Sequence, residues 1–265
     1  MLNQKTTILI LALSGSLASQ AFAKDSKFTS SASLEMRSGV STEGGESRPF
    51  LSTLEYFGDY QLNKKVDFTL RAGVEKELSE NREASINNTM IYNNIRKIID
   101  TKYGHLDWKT NALIPTNEDS RKGSSLVTSI TTGPLLKIKT PSPKFGVSVR
   151  TQLRRNFFEF KTSQSESVNT HYSLTHRVDF SYRITDSLSV STLFLNSHHW
   201  NANSNRTPDT FTTVQSLNYS LDRTTSLSLG HEIADYTFKS DGVSSNISVF
   251  DRKSSTVYLS MFKSF

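Results

Sequence analysis

The sequence predicts an all-β fold, a closed antiparallel transmembrane β-barrel of about twelve strands with up-and-down topology. Three observations lead to this prediction. Apolar and polar side chains alternate over stretches of about a dozen residues, these stretches repeat almost to Phe265, and short connections alternate with longer polar ones. Because successive side chains of a strand point to opposite faces, each stretch has one apolar and one polar face. A soluble sandwich accounts for one such strand, whereas a barrel with lipid outside and water inside needs the pattern throughout.

Residues 1–23 have the composition of a cleaved secretory signal peptide. Lys5 supplies a positive start, residues 8–13 form an apolar core, and Ala21-Phe22-Ala23 places small residues at the cleavage site. We therefore expect cleavage before Lys24 and a single barrel domain over residues 24–265. The alternative is a membrane anchor, but the apolar run is far shorter than the roughly 20 residues of a spanning helix.

Composition excludes several classes of site. The chain has no cysteine, which excludes disulfides, cysteine metal sites and a lipid-modified cysteine at the mature start. The net charge is +6, and +5 once Lys5 is removed with the signal. Basic and acidic residues are interleaved rather than gathered on one face, so we expect no nucleic-acid partner. Mean hydropathy of -0.43 is compatible with a barrel, because only alternate strand positions meet lipid.

Twelve candidate strands follow the alternating pattern, each with boundaries defined to within a few residues. The clearest is the third, in which Val66, Phe68, Leu70, Ala72 and Val74 alternate with polar residues. In chain order the predicted strands are residues 28–40, 48–62, 65–76, 88–100, 104–114, 123–137, 144–157, 170–184, 187–198, 210–221, 225–235 and 247–265.

The connections support the same topology. Every second one is short or compact, namely residues 63–64, 101–103, 138–143, 185–186 and 222–224. Most of the others are longer and polar, namely residues 77–87, 115–122, 159–169, 199–209 and 236–246. Transmembrane barrels have short turns on one side and long loops on the other, and an even strand count returns both termini to the same side.

The fourth predicted strand carries an ambiguous pattern. Ile91, Ile95 and Ile98 have helical spacing, whereas Ile91, Ile95 and Ile99 fit alternate strand positions. A β-bulge reconciles these isoleucines with a strand, because one extra residue re-aims those that follow. Without this segment the strand count would be odd.

The apolar set is predicted to face lipid. Several of its aromatic residues lie near strand ends, where interfacial girdles occur. The alternative is the hydrophobic core of a soluble sandwich, which also shows alternation. The predicted outward residues are Phe50, Leu54, Tyr56, Tyr60, Leu106, Trp108, Ile114, Val147, Val149, Leu153, Tyr172, Leu174, Val178, Phe180, Tyr182, Ile184, Leu217, Tyr219, Leu221, Val257, Leu259, Met261 and Phe265.

The opposite set must line the interior, and its charged members balance. This balance has two interpretations: a narrow water channel with charge pairs across the lumen, or a lumen closed by a salt-bridge network. The predicted lumen residues are Glu35, Arg37, Glu55, Asp67, Arg71, Glu75, Asp107, Lys109, Arg150, Gln152, Arg154, Arg177, Asp179, Arg183 and Glu232.

Four of these lumen residues suggest a binding surface. Arg150, Arg154, Arg177 and Arg183 fall on two sequential strands and point the same way. We interpret them as a basic ladder for a carboxylate or phosphate solute, since the arginine fork binds oxyanions through two hydrogen bonds. The alternative is that they pair with Asp179, Glu159 or acidic residues across the lumen.

The final strand carries a family resemblance. Val257, Leu259, Met261 and Phe265 alternate up to a terminal aromatic, and with the signal and the strand rhythm they make the chain similar to bacterial outer-membrane β-barrel proteins. Lys263 departs from the pattern, since an apolar residue is commoner there. The resemblance implies the outer membrane of a Gram-negative bacterium, contact with its lipid and lipopolysaccharide, and recognition of the final strand by the barrel assembly machinery. Among twelve-stranded members the chain looks most like small monomeric porins for acidic sugars.

The function expected from this pattern is passive diffusion of small hydrophilic solutes, with anions preferred, through a monomer without cofactors or metal. One alternative is a structural or surface-interaction barrel with an occluded lumen. The other is an outer-membrane lipid hydrolase, because His171-Tyr172-Ser173 has the His-x-Ser spacing that allows general-base activation of the serine. The barrel pattern places Tyr172 outward and Ser173 inward, so we expect no catalysis.

Three further histidines invite a metal hypothesis. His198, His199 and His231 have no flanking carboxylate to complete a set of three or four ligands. We therefore interpret them as loop residues.

Overall fold

The computed structural model describes residues 27–40, 50–79, 83–251 and 254–265. The predicted signal peptide, residues 1–23, lies outside these residues. The described chain forms the strands β1 (Phe28–Gly39), β2 (Leu51–Gln61), β3 (Val66–Glu77), β4 (Ala84–Ile86), β5 (Thr89–Asp100), β6 (Gly104–Ile114), β7 (Leu126–Ile138), β8 (Phe145–Phe158), β9 (Thr170–Arg183), β10 (Leu188–Asn201), β11 (Arg206–Ser220), β12 (Thr225–Tyr236) and β13 (Ser255–Ser264). No helix in the described ranges is long and apolar enough to cross a membrane.

The sheet closes on itself. Each strand pairs antiparallel with its neighbours, and β13 pairs with β1 from Ser31 opposite Ser264 to Gly39 opposite Thr256. This last ladder removes the two edges of the sheet, so the backbone of every long strand is hydrogen-bonded on both sides. The predicted closed antiparallel barrel of about twelve strands is confirmed, with β4 as a short extra strand.

The strand β4 continues the line of β5 along β3. Val74 pairs with Ile86 and Arg71 with Met90, so three steps on β3 correspond to four steps on the facing chain. The extra residue is a β-bulge, which separates β4 from β5.

A second bulge lies in β5 at the isoleucines, as predicted, but it contains two extra residues rather than one. Its ladder with β6 shifts between Ile95 and Ile99, and Lys97 there has a left-handed φ of 51°. The Lys97 N–H donates a hydrogen bond to Asp107 Oδ1 at 2.8 Å. Because the bulge adds two residues, it preserves the alternation, and Ile91, Ile95 and Ile99 all lie on the outer face.

Three strand ends differ from the prediction on the side of the barrel away from the termini, which the outer-membrane resemblance predicts to be extracellular. The predicted loop at residues 199–209 is short, because β10 reaches Asn201 and β11 begins at Arg206. The strand predicted from residue 123 begins at Leu126, after a helical turn at Asp119–Gly123. The turn is started by Asn117, whose side-chain oxygen accepts the N–H groups of Asp119 and Ser120 at 2.9 and 3.2 Å.

The largest difference is the start of the final strand. It was predicted at residue 247, but β13 begins at Ser255. The preceding segment packs against the outside of the barrel wall, where the Phe250 ring stacks on His231 with centroids 5.6 Å apart. The alternation of Ile247 and Val249 imitates a strand, but these side chains belong to a loop.

Apolar side chains lie mainly on the outside. Within the described residues, the buried large apolar side chains are Leu135 in the lumen and Phe211 and Ile233 on the outer wall, whereas most outward apolar side chains of the strands are exposed. An exposed apolar wall around a polar interior is the arrangement that a bilayer requires.

Candidate functional site

The strand registers determine which residues line the lumen. Glu35 pairs with Thr53 and Ser260, and this polar face continues from strand to strand around the barrel. All the predicted charged candidates lie on it: Glu35, Arg37, Glu55, Asp67, Arg71, Glu75, Asp107, Lys109, Arg150, Arg154, Arg177, Asp179, Arg183 and Glu232.

On the β1–β3 side of the lumen, arginines and carboxylates neutralise one another. Arg37 Nε donates to Glu35 Oε1 at 2.8 Å, and its Nη2 lies 3.9 Å from Glu232. Arg71 forms an ion pair with Glu55. Both arginines of this wall are therefore paired, whereas Glu75, which accepts a hydrogen bond from Thr53 Oγ1 at 3.2 Å, has no cation of the described residues within ion-pair distance.

Near the periplasmic end, Asp107 is the centre of a second paired group. It is 1% exposed, lies 3.1 Å from Lys137 Nζ, and accepts the Lys97 N–H of the β5 bulge. Nearby, Arg96 Nε contacts Asp67 Oδ2 at 2.7 Å. Buried carboxylates require such partners, so these contacts hold the bulge in place.

The predicted arginine ladder is interrupted at Arg177. Arg177 lies directly opposite Arg150 in the β8–β9 ladder, where like charges repel. Its guanidinium turns instead to Asp179, donating from Nε and Nη2 to Oδ1 at 2.9 and 2.5 Å. Arg183 is exposed at the periplasmic end of β9. The alternative pairing considered for the ladder thus applies to Arg177, and Arg150 and Arg154 are left as its central members.

Three lumen cations form a separate group, which we call the unpaired-cation cluster: Lys109, Arg150 and Arg154. None of them has a carboxylate of the described chain within ion-pair distance. Arg154 Nε donates to Thr131 Oγ1 at 3.1 Å, whereas the buried Nε of Arg150 has no hydrogen-bond partner among the described residues. A buried donor without an acceptor is costly, so an arriving oxyanion would gain from it.

Strand β7, which lies between Lys109 on β6 and the two arginines on β8, allows Lys109 to lie near these arginines. Lys109 on β6 faces Gly133 of β7, and β8 is the next strand, about 10 Å from β6. A Cβ on Gly133 would lie only 2.0 Å from the Thr151 carbonyl oxygen, so glycine alone permits the close approach of β7 and β8. Lys109 is within electrostatic range of Arg150 and Lys137, and also of Asp107 and Asp67, although neither carboxylate is close enough for an ion pair. Analysis of the sequence placed Lys109 in the lumen but did not group it with the ladder.

Tyr92 on β5 is a lumen residue that the sequence analysis missed. Arg71 Nη1 lies 3.4 Å from its hydroxyl, and the hydroxyl is also within electrostatic range of Arg150 and Arg154. Tyr92 therefore lies between the ion-paired β1–β3 side of the lumen and the unpaired-cation cluster. Its position among the alternating residues of β5 could have assigned Tyr92 to the lumen, but the ambiguous spacing of the isoleucines obscured this alternation.

Two adjoining cavities, each of about 320 Å³, lie along the β1–β3 side of the lumen, where the Arg71–Glu55 ion pair is found. They share Glu55, Arg71 and Asn87. One extends to Glu35 and Glu75, and the other extends toward Asn117 and Ser120 of the β6–β7 loop. The interior of the barrel thus contains polar space bordered by charged side chains.

The serine of the hydrolase hypothesis lies on the lumen face. Ser173 is buried and bonds to His199 Nδ1 at 3.0 Å, while His199 Nε2 contacts Thr210 Oγ1 at 3.0 Å. His171 packs on Phe158 instead, with ring centroids 5.1 Å apart. The spacing of His171 and Ser173 therefore does not produce a contact between them.

The histidines considered as metal ligands diverge. They lie on strands rather than in loops, because β10 extends to Asn201 and β12 includes His231. His198 and His231 face outward and His199 faces inward. No group of three potential ligands occurs among the described residues.

The residues of the predicted assembly signal, Val257, Leu259, Met261 and Phe265, lie on the outer face at the C-terminal end and are exposed. Lys263 shares this face, and its Nζ contacts the hydroxyls of Thr224 and Thr225 at 2.9 Å each. The charge that departs from the pattern is therefore held at the periplasmic turn.

Comparison with known structures gives the same architecture. An outer membrane channel from Pseudomonas putida F1 aligns with a TM-score of 0.59 at 11% identity, over 90% of this chain and 95% of that chain. The two chains share the same fold. The NanC porin aligns with a TM-score of 0.55 at 12% identity, over 88% and 98% of the two chains. No family model and no curated protein matches the sequence, so the similarity is one of fold.

The barrel and its apolar wall together place the protein in the bacterial outer membrane. Backbone groups are satisfied within the closed sheet, and exposed apolar side chains surround it. This combination is stable in hydrocarbon and not in water.

Proposed function

We propose that the protein is a porin-like channel through which small hydrophilic solutes diffuse passively, and that it prefers anions. The unpaired-cation cluster of Lys109, Arg150 and Arg154 carries this proposal. The other cations that project from the middle of the lumen wall among the described residues lie next to a carboxylate, as Arg37, Arg71 and Arg177 do.

The cluster provides successive contacts for a carboxylate or phosphate. Arg150 and Arg154 are four positions apart on β8, which corresponds to about 13 Å along the strand. A guanidinium binds an oxyanion through two hydrogen bonds. Because several such sites lie along a hydrated wall, an anion is attracted without being held at any single site, as conduction requires.

Planar-bilayer recording of the refolded mature chain tests the channel function. We expect discrete conductance steps and, across a salt gradient, a reversal potential of the sign set by anion movement. A barrel that refolds and resists SDS at room temperature but shows no steps would contradict the proposal. That outcome would favour a structural barrel with an occluded lumen.

Transport through this channel needs no covalent chemistry. The buried, lumen-facing position of Ser173 supports this, because lipid substrates meet the barrel from outside. Release of labelled fatty acid from lipid in detergent micelles should stay at the background rate for the wild-type protein and for Ser173→Ala. Turnover that disappears in Ser173→Ala would contradict it.

A further inference from the structure

A row of four side chains crosses the outer wall at the extracellular end of strands β8 to β11. Arg155 pairs with Tyr172, Tyr172 with Trp200, and Trp200 with Arg206. All four project from the outer face, because Arg155 is adjacent to the lumen-facing Arg154. Two aromatic rings thus lie between two guanidinium groups on neighbouring strands, which are about 5 Å apart.

The position of the row corresponds to the headgroup region of the outer leaflet. Arg155 is three residues from the end of β8, Tyr172 is two from the start of β9, and Arg206 begins β11. These strand ends lead into the loops opposite the termini. Aromatic residues at such positions mark the interface between hydrocarbon and water.

The two arginines of the row differ in their partners. Arg206 forms an ion pair with Asp209, which also contacts His198 Nδ1 at 2.8 Å. Arg155 has no carboxylate of the described residues within ion-pair distance. Its guanidinium instead lies 4.9 Å from the ring centroid of Phe157 and 5.4 Å from that of Tyr172. Stacking on rings fixes the plane of the guanidinium and leaves its N–H groups available.

Below the row, the outer wall is apolar. Leu153 pairs with Leu174 one step closer to the bilayer centre, and Leu153 is exposed. A molecule with an anionic head and hydrocarbon tails would place its head at Arg155 and its tails along these leucines. A soluble anion would use only the first of these contacts.

We propose that this row is a binding site for a phosphorylated lipid of the outer leaflet, with the phosphate on the Arg155 guanidinium and the headgroup against Tyr172 and Trp200. Arg206, held by Asp209, supports the far end of the row. This site is independent of the lumen and of the proposed channel function.

Native mass spectrometry of the refolded protein in detergent, titrated with bisphosphorylated lipid A, tests the proposal. We expect Arg155→Gln to bind about tenfold less tightly than wild type, because a charge-assisted bidentate contact is lost. Lys76→Gln is the matched control. Lys76 also lies on the outer face at the extracellular end, on β3, where its paired residues are Ser52 and Ala84 rather than aromatic residues, so this variant should bind as wild type does.

Two further titrations distinguish the source of the phosphate. Dephosphorylated lipid A should bind wild type and Arg155→Gln equally weakly. An excess of inorganic phosphate should leave the lipid A complex intact, since it lacks the acyl contacts. Three results would each overturn the proposal. Wild type and Arg155→Gln could bind lipid A with equal affinity, Lys76→Gln could lose as much lipid A affinity as Arg155→Gln, or inorganic phosphate could displace lipid A from the wild type. Retained SDS resistance of Arg155→Gln establishes that the barrel is intact.

Discussion

The guanidinium of Arg71 on β3 donates two hydrogen bonds to one carboxylate oxygen of Glu55 on β2, one of them from Nε at 2.9 Å. This contact cancels two lumen charges at the border of both cavities. Within the described part of the chain, Arg150 has no such partner, and its buried Nε is without an acceptor. The difference between these two arginines is the basis for assigning anion preference to one side of the lumen.

Removing the charge of Glu55 should therefore increase anion preference. In Glu55→Gln, Arg71 loses its carboxylate and becomes another cation available to a passing solute. The reversal potential across a salt gradient should move further in the anion direction. Glu118→Gln removes the same charge from an exposed loop position paired with Lys122 and should leave it unchanged. Equal reversal potentials for wild type and Glu55→Gln would show that Arg71 does not meet the ion path.

The assignment of outer and inner faces predicts opposite effects at adjacent positions. Leu229 lies near the middle of β12, faces outward and is 58% exposed. Leu229→Arg should destabilise the folded barrel in vesicles by about 2–4 kcal/mol, because it places a charge in hydrocarbon. Ser228→Arg projects into the polar lumen and should cost less. Guanidinium unfolding followed by tryptophan fluorescence measures both, and a larger loss for Ser228→Arg would reverse the assignment.

The close approach of β7 and β8 should make Gly133 intolerant of a side chain. In Gly133→Ala the new Cβ would meet backbone, 2.0 Å from the Thr151 carbonyl oxygen, so the strands must separate. We expect a loss of about 3 kcal/mol, the upper range for overpacking, and a lower temperature of SDS-induced unfolding. Gly123→Ala is the control, since its nearest atom would be Asp119 Cβ at 3.9 Å. Unchanged thermal stability of Gly133→Ala would disprove this tight packing.

The periplasmic turn between β11 and β12 should make stability depend on pH in acid. The carboxylate of Asp222 accepts the N–H groups of Thr224 and Thr225 at 2.7 and 2.8 Å, and these bonds lower the pKa of Asp222 from 3.8 to about 2. Because the pKa of this carboxyl group is lower in the folded than in the unfolded protein, its ionised form stabilises the fold at pH values above the unfolded-state pKa. This stabilisation is lost as the pH falls from about 4 toward 2. Asp222→Asn does not titrate, so the wild type should lose its advantage over this variant in that window. A constant difference between the two unfolding temperatures from pH 6 to about 2 would contradict the prediction.

Much of the fold follows from side-chain alternation. A period of two identifies strands such as β3, and an even count with alternating connections defines the closed topology. Alternation is a local property, however, and it cannot distinguish a strand from an extended segment that packs on the wall. Ile247 and Val249 satisfy the pattern, yet their segment precedes β13 and lies on the outside of the wall, where Phe250 stacks on His231.

The faces of the candidate site were predictable, and its partners only in part. Alternation assigns Arg150, Arg154 and Arg177 to the lumen and offers Asp179 as one partner, which Arg177 takes. That Arg150 lies opposite Arg177 rather than opposite a carboxylate depends on the register between β8 and β9. The inclusion of Lys109 depends in turn on a glycine in the strand between. The strand register and the close approach of two strands depend on the whole sheet, so they cannot be predicted from the local pattern of a single sequence.

The most direct test of the proposed mechanism is the reversal potential of single channels formed by Arg150→Ala with Arg154→Ala. The wild type should be anion-selective, and the double variant should lose most of that preference because Lys109 alone remains in the cluster. Arg121→Ala with Lys122→Ala removes two positive charges from the β6–β7 loop and should behave as wild type. Full anion preference in the double lumen variant, or cation preference in the wild type, would contradict the role of the unpaired-cation cluster.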